Sequence, residues 1–505
     1  MDPQSIYDLL RLDYVVIDEF HTIDARGMGL ACALASVTTR IEGGARLTFL
    51  SATPIDVKST LVSFGIDADM ISVREERVVT GTAAETPGLR AIHGDVKLRI
   101  ETGEGIISAL RTHESEIRET LARVDSGRQL VIIYDSLKRL MSDKAELARF
   151  LDGLGVSPEE RLSINSMDDS VEQWSDGVFT FGSLNDPMQF KVLVATSSVE
   201  IGVTFKAGMI VMEPGHDPCS FVQRIGRVAR GDLSGTVIVH ATPSQMERIG
   251  WLRQVSTDLA SRGTILPVDE FIRTILAGTR RKFDTTGLDM DAEDVNFRKM
   301  PQTAVWCAAL FWTAMEQAEW RSVIRGSFRE FRPRKAARMG AMLGGLLKSP
   351  NRATQVWAKA MLEEAKILRV IMEKVVLVEP DGFSKSISWH LYASTQELAD
   401  APTFTGEKDV LFVKVARPIA EIEASLGGLR TRRREEALLP HQQFTVMIDV
   451  DRLREDWCRE VSSLLKHPGL SSGDEEAIRA ALKIVNLTGV VPTSKASQGV
   501  GSVVF

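Results

Sequence analysis

The chain has 505 residues, 44% hydrophobic and 26% charged, with a formal net charge of −7. These values suit a soluble globular protein of about three domains. They exclude a uniformly basic coat for nucleic acid but leave room for a local basic groove. The cysteines Cys32, Cys219, Cys307 and Cys458 lie far apart with no zinc-type spacing. No run is long enough to span a membrane, and residues 1–17 lack the form of a signal peptide, so a reducing cytoplasm is expected.

Through the first half, short apolar runs alternate with helical periodicity, the pattern of an α/β fold with parallel strands. The expected strands are residues 14–17, 47–50, 130–134, 162–165, 192–195, 209–212 and 236–240. Helical spacing marks 106–124, 137–154 and 221–228. Residues 75–89, with Gly81, Pro87 and Gly88, read as a hinge. Beyond Pro243, helices are expected at 246–259, 268–276, 304–328, 336–347 and 353–370. Short β-like runs return at 375–378, 386–391, 410–415 and 444–448, before a helix at 475–484 and a loosely ordered Gly/Ser/Val tail. Four parts result: 1–80, 90–245, a helical region 246–370 and a mixed α/β region 371–505.

Asp18-Glu19-Phe20-His21 closes the first expected strand. Parallel sheets bind ligands outside the carboxyl ends of their strands. A carboxylate there, Asp18, either would hold Mg2+ through water or is a solvated acid at an ordinary strand-to-loop transition. A second, Glu19, orients or deprotonates an attacking water, and His21 can couple the site to its neighbour. Ser51-Ala52-Thr53 follows the second strand; its hydroxyls either relay the state of a bound nucleotide or cap a helix. The segment from Val192 to Gly202 gives a strand, a hydroxyl cluster and a helix start, where Thr196 either suits a phosphate oxygen of a nucleic-acid strand or belongs to a simple helix cap.

The sharpest segment is Gln223-Arg224-Ile225-Gly226-Arg227-Val228-Ala229-Arg230. On a helix Arg227 and Arg230 would share a face. Two guanidiniums so placed repel each other unless an anion sits opposite, so they either meet a γ-phosphate at a domain interface or form a solvated basic face. An arginine in that role is worth about three to five powers of ten in rate. Gln223 adds a neutral hydrogen-bonding group, and Gly226 allows close approach.

In this order the four segments resemble motifs II, III, V and VI of superfamily 2 helicases of the DExH branch, and Val131-Ile132-Ile133-Tyr134-Asp135-Ser136 is similar to motif IV. The resemblance covers roughly residues 10–245. The Asp-Glu-Phe-His form and the helical-then-β tail also resemble the CRISPR-associated helicases of type I systems, in the subtype I-D form. The resemblance implies two RecA-like lobes with parallel sheets, the first incomplete, and a helical and mixed α+β C-terminal accessory region. It implies ATP-dependent translocation on single-stranded nucleic acid, DNA favoured, with ATP and Mg2+ as cofactors. By position, Asp18 would serve Mg2+ and Glu19 the water, while His21, Ser51 and Thr53 couple hydrolysis to movement. Thr196 and Ser136 would touch the nucleic-acid backbone; Gly202, Gln223, Arg227 and Arg230 would close on the triphosphate. A CRISPR effector complex and a separate nuclease would be partners in antiviral defence. His216-Asp217, between Pro214 and Pro218 and without companion histidines, reads as structural.

Two departures stand out. Thr204 occupies a position where motif V often has an acid. The phosphate loop GxxxxGK[ST] is missing, and no Gly-Lys pair occurs anywhere, so the amides and lysine that hold the β- and γ-phosphates are absent. A first lobe without its leading strands should expose a sheet edge and apolar faces. The chain would then be part of a longer gene, one half of a split motor completed by a separate polypeptide, or a nucleic-acid-binding relative that does not hydrolyse. Retention of Asp18, Glu19, Arg227 and Arg230 favours the first two, and the isolated chain is expected to be inactive. Basic clusters at Arg332, Arg334, Lys335 and Arg338 and at Arg430, Arg432, Arg433 and Arg434 either grip phosphates or form solvated surface. Trp306, Trp312 and Trp320, among apolar neighbours, are expected in the core.

Overall fold

The computed structural model describes residues 12–18, 20, 23–40, 44–51, 57–74, 94–123, 128–165, 174–181, 185–196, 205–215, 218–230, 234–262, 265–266, 284–293, 299–317 and 332–366. It also describes 374–378, 384–388, 403–405, 410–415, 417–418, 421–422, 434–442, 445–449, 452–467 and 469–493. The chain folds as two compact units, unit 1 from residues 1–76, 280–371 and 432–505 and unit 2 from 77–279 and 372–431.

Unit 1 opens with β1 (Tyr14–Ile17), α1 (Ala25–Thr38), β2 (Arg46–Phe49) and α2 (Lys58–Phe64). The strands pair in parallel, Tyr14 opposite Arg46 and Ile17 opposite Phe49. Helix α1 begins where the Asp24 carboxylate accepts the Gly27 N–H at 2.7 Å, satisfying a donor that a helix start leaves unpaired.

Unit 2 carries β3 (Val96–Thr102), α3 (Ile106–Thr112), α4 (Glu114–Leu121), β4 (Gln129–Ile133), α5 (Leu137–Gly153), β5 (Arg161–Ile164), β6 (Trp174–Ser175) and β7 (Thr180–Phe181). It continues with β8 (Val192–Ala195), β9 (Ala207–Met212), α6 (Pro218–Ile225), β10 (Gly235–Ala241), α7 (Pro243–Arg248), α8 (Gly250–Arg262) and β11 (Ile265–Leu266). One sheet runs β11-β3-β10-β9-β4-β8-β5-β7-β6. Its seven inner strands are parallel and only the two outermost, β11 and β6, are antiparallel. Strands β4 and β8 are buried at every position, the mark of strands covered on both faces. Leu110, Leu140 and Leu147 of α3 and α5 pack with Leu130, Ile132 and Val194. Phe221, Ile225 and Leu252 of α6 and α8 pack with Val131, Ile133 and Ile210 on the other face. The chain therefore leaves β4 for one face and its neighbour β9 for the opposite face. Such a parting of connections opens a crevice at the carboxyl ends of the two strands.

A second sheet of unit 2 combines β12 (Lys374–Val378), β13 (Ser384–Ser388), β14 (Thr403–Thr405) and β15 (Val410–Lys414) in the order β13-β12-β15-β14. Unit 1 is completed by α9 (Met300–Gln317), α10 (Arg334–Leu347), α11 (Arg352–Ala365), β16 (Arg434–Leu438), β17 (Thr445–Asp449), α12 (Leu453–Leu464) and α13 (Ser472–Thr488). Helix α9 is apolar and buried around nearly its whole circumference, as a central core helix must be. Helix α1 crosses it at Gly29, where a Cβ would lie 2.6 Å from the Ala304 carbonyl oxygen and 2.7 Å from the Ala308 nitrogen. Arg26 of α1 donates to Glu364 of α11 at 3.2 Å. Trp357 of α11 stacks on Trp457 of α12 with ring centroids 5.9 Å apart.

The fold is thus mixed α/β with a wide parallel sheet, and all seven strands expected in the first half are present within a residue or two. Strand β3 was not anticipated. The expected helix 106–124 breaks at His113 into α3 and α4, 221–228 stops at Ile225, and 246–259 is α7 and α8 parted at Ile249. Trp306 and Trp312 are buried as expected. The helices after residue 280 pack with the first seventy-odd residues because α9 and α1 each carry an apolar surface that needs covering. Residues 75–89, 268–276, Trp320 and the tail from 494 lie outside the described residues. Among the described residues no helix is long and apolar enough to cross a membrane.

Candidate functional site

In unit 1 the ladder runs one step beyond the strands: Leu50 N–H donates to the Ile17 carbonyl and Phe20 N–H to the Leu50 carbonyl, both at 3.0 Å. Asp18 and Ser51 thereby leave the carboxyl ends of two adjacent parallel strands, and both are exposed. Phe20 holds this end down. It is buried and meets the Phe49 ring edge-on at 4.9 Å. Glu19, His21 and Thr53 lie outside the described residues. One face of the pair is open, with Tyr14 61% and Val16 56% exposed.

In unit 2, Asp135 and Ser136 follow β4, Thr196 follows β8, and Glu213 follows β9, all at carboxyl ends of neighbouring strands. Ser136 is half-buried at the N-cap of α5. Thr196 is buried, its N–H donating to the Ile164 carbonyl at 3.2 Å. Gly202 lies outside the described residues.

A buried charge network ties these ends together. Arg224, 1% exposed, donates to Asp135 Oδ1 at 2.5 Å and to the Glu213 carbonyl at 2.8 Å. Asp135 Oδ2 accepts the Gly215 N–H at 3.2 Å. Glu213 Oε2 accepts the Asp135 N–H at 2.6 Å, and Arg139 donates to its other oxygen. Burial pushes the Glu213 carboxyl up, against the pull of those donors. Two acids and two guanidiniums thus fix the start of α5 and the pose of α6 across the switch between β4 and β9. Arg224 stands in the sequence only as part of a motif, and Glu213 stands in none. The available signal was an acid directly after each of two apolar strands.

The arginine pair differs from expectation. Helix α6 ends at Ile225, so Arg227 and Arg230 do not share a helical face. After a turn at Gly226 and Arg227, Val228 bridges to Ala207, an extended contact alongside β9. Ala229 takes the left-handed conformation, φ 55°, a costly state for a residue with a Cβ. It is pinned there, its N–H donating to the Ala207 carbonyl at 3.3 Å and its own carbonyl accepting the Gly94 N–H at 2.7 Å. Strain held from both sides in this way is typical of functional segments. It delivers Arg230 to the surface, with Arg227 and Gln223 half-buried before it.

The cluster at 332–338 is largely engaged within unit 1. Arg332 pairs with Glu316, Arg338 with Glu293, and buried Lys335 with Asp291 and the Ser63 carbonyl. Arg430, Arg432 and Arg433 lie outside the described residues. Cys32 and Cys307 are fully buried, and burial pushes both thiols up to about 12. No group of three or more His, Cys, Asp or Glu among the described residues forms a metal cage. An exposed carboxylate such as Asp18 fits the other kind of site, in which Mg2+ keeps its water and takes one or two protein oxygens.

No protein-family model and no curated protein matches the sequence. The chain is similar to the solved structure of T. fusca Cas3, at 14% identity over 82% of this chain and 53% of that one, TM-score 0.45. It is similar to the DUF1998 helicase MrfA bound to DNA, at 13% identity over 82% of this chain and 53% of that one, TM-score 0.39. A DEAD box protein from Methanococcus jannaschii is similar at 16% identity over 50% of this chain and 61% of that one, TM-score 0.25. The chain spans about half the length of the first two.

Proposed function

We propose that this chain supplies most of an ATP-dependent motor of the helicase kind, working on single-stranded nucleic acid. The observation that carries the reading is the emergence of Asp18 and Ser51 from adjacent carboxyl ends of a parallel pair. That is where a parallel sheet offers its ligand site. Asp18 would hold Mg2+, which when bound neutralises charge on the phosphates. Glu19 would take the proton of the attacking water, with His21, Ser51 and Thr53 passing the change onward. Gln223, Arg227, Arg230 and Gly202 would face the triphosphate, the arginines stabilising charge on the transferring oxygens. Thr196 and Ser136, at carboxyl ends in unit 2, would meet the nucleic-acid backbone. We keep residues 1–80 and 90–245 as the two lobes.

The open face of β1 and β2 supports the further reading that another polypeptide stretch, bearing the phosphate loop, completes the first lobe. The Asp-Glu-Phe-His form favours DNA as the track and a CRISPR-type defence complex, with a separate nuclease, as the setting.

The test is nucleic-acid-stimulated ATP hydrolysis by the purified chain, alone and with the polypeptide encoded immediately upstream. The chain alone should be inactive; the completed motor should turn over and Glu19→Gln should abolish that turnover. A completed motor indifferent to Glu19→Gln would refute the proposal and leave a binding protein in its place.

A further inference from the structure

Next to Arg230 lies a feature that the motif does not include. Arg128 immediately precedes β4 and Lys206 immediately precedes β9, so both stand at the amino ends of adjacent parallel strands. With Arg230 and Ser234 they line a shallow, solvent-open depression that Gly208 and Ala229 also border. Arg230 and Lys206 are exposed and Arg128 is half-buried. None of the three cations has an acidic partner among the described residues, whereas Arg224, Arg139, Arg161 and Lys144 of the same unit all do.

Two features of the backbone build the pocket. Gly208 lets the Arg128 stem lie flat on the strand, since a Cβ there would meet Arg128 Cβ at 2.8 Å and Cγ at 3.2 Å. The pinned left-handed turn at Ala229 brings Arg230 to the same opening. Three unpaired cations around one small opening repel one another, and the fold accepts that cost when a polyanion neutralises them.

We propose that Arg128 and Lys206 join Arg230 in a phosphate-binding pocket, and that its ligand is the phosphate tail of a nucleotide. The inference rests on the reading of Arg230 as a triphosphate contact and extends it to two residues outside the motif. A single compact opening suits a terminal phosphate. A nucleic-acid strand would need cations repeated along a groove, with aromatic platforms between them, and Arg128, Lys206 and Arg230 form no such row.

The test is calorimetric binding of inorganic tripolyphosphate to the full chain at low ionic strength. Wild-type chain should bind, and Arg128→Glu and Lys206→Glu should each weaken binding by about tenfold or more, the size of a lost charge-assisted phosphate contact. Arg248→Glu, an equal charge change at an exposed site outside the pocket, should leave binding within about twofold. Gly208→Ala should weaken binding without altering charge, because its Cβ displaces the Arg128 stem. Binding unchanged in both Arg128→Glu and Lys206→Glu, or absent from wild type, overturns the pocket. So does a single-stranded oligonucleotide whose binding falls in these variants while tripolyphosphate binding holds, because the pocket would then be a strand contact. Arg227→Ala, read by ATP hydrolysis in the completed motor, tests the underlying assignment separately. Activity lost there with tripolyphosphate binding unaffected by the pocket variants removes the pocket and keeps the motor.

Discussion

The two units solve the same packing problem by opposite means. Unit 2 builds its main sheet from one stretch of chain, covers it on both faces with helices from the same stretch, and leaves the central strands β4 and β8 buried throughout. Unit 1 has a two-stranded sheet with one open face, and its core is the helix α9, brought against α1 from nearly three hundred residues away. The first unit owes its order to contacts between distant segments, such as Arg26 with Glu364. The second owes it to local alternation of strand and helix plus one buried charge network.

That contrast can be tested by substitution. The greatest loss should come from Asp135→Ala in unit 2, which strands the buried Arg224 guanidinium and should cost about 3–5 kcal/mol in denaturant unfolding. A cost near zero would mean that the network does not hold α6 in place. In unit 1, Gly29→Ala forces a Cβ against the backbone of α9 and should cost about 1–3 kcal/mol. An unaltered midpoint would show that α1 does not press on α9 as described.

A smaller effect concerns acid. Arg99 of β3 bonds Glu116 of α4 at 2.7 and 2.6 Å. These bonds hold the Glu116 carboxyl down to about 2 from an ordinary 4.5. A carboxyl with a depressed folded value contributes stability that is present above its ordinary value and lost as pH falls through the folded one. Arg99→Gln should therefore unfold at a higher pH than wild type in an acid titration followed by circular dichroism. Coincident curves would leave the pair without a role. The smallest change is Ala229→Gly, which relieves the left-handed strain and should raise stability by about 0.5–1 kcal/mol. A loss of stability would show that the methyl, buried beside Gly235, matters more than the dihedral.

The same contrast decides what the sequence made legible. Strands such as Val192–Ala195 are continuous apolar runs, and a run of that kind declares itself without knowledge of its partners. Strand β3 does not, because Lys97, Arg99 and Glu101 interrupt it and its pairing with β10 is what makes it a strand. Helix α1 is buried on most of its surface, so its periodicity is faint. The end of α6 is hidden in the sequence because Val228 continues the helical spacing, while its backbone instead bridges to Ala207. Asp18 and Ser51 were read directly from their place after apolar runs. Arg128 and Lys206 were invisible, because only the parallel pairing of β4 with β9 brings residues 78 positions apart to one opening.

The most direct test of the proposed motor is a double-mutant cycle on ATP hydrolysis by the chain together with the polypeptide encoded immediately upstream, using Asp18→Ala in unit 1 and Arg227→Ala in unit 2. Groups that act together on one phosphoryl transfer are strongly non-additive. Each single change should remove most of the activity, and the double variant should be little worse than the poorer single. Losses that simply multiply, or an Arg227→Ala variant with full turnover, would contradict a triphosphate shared by the two residues.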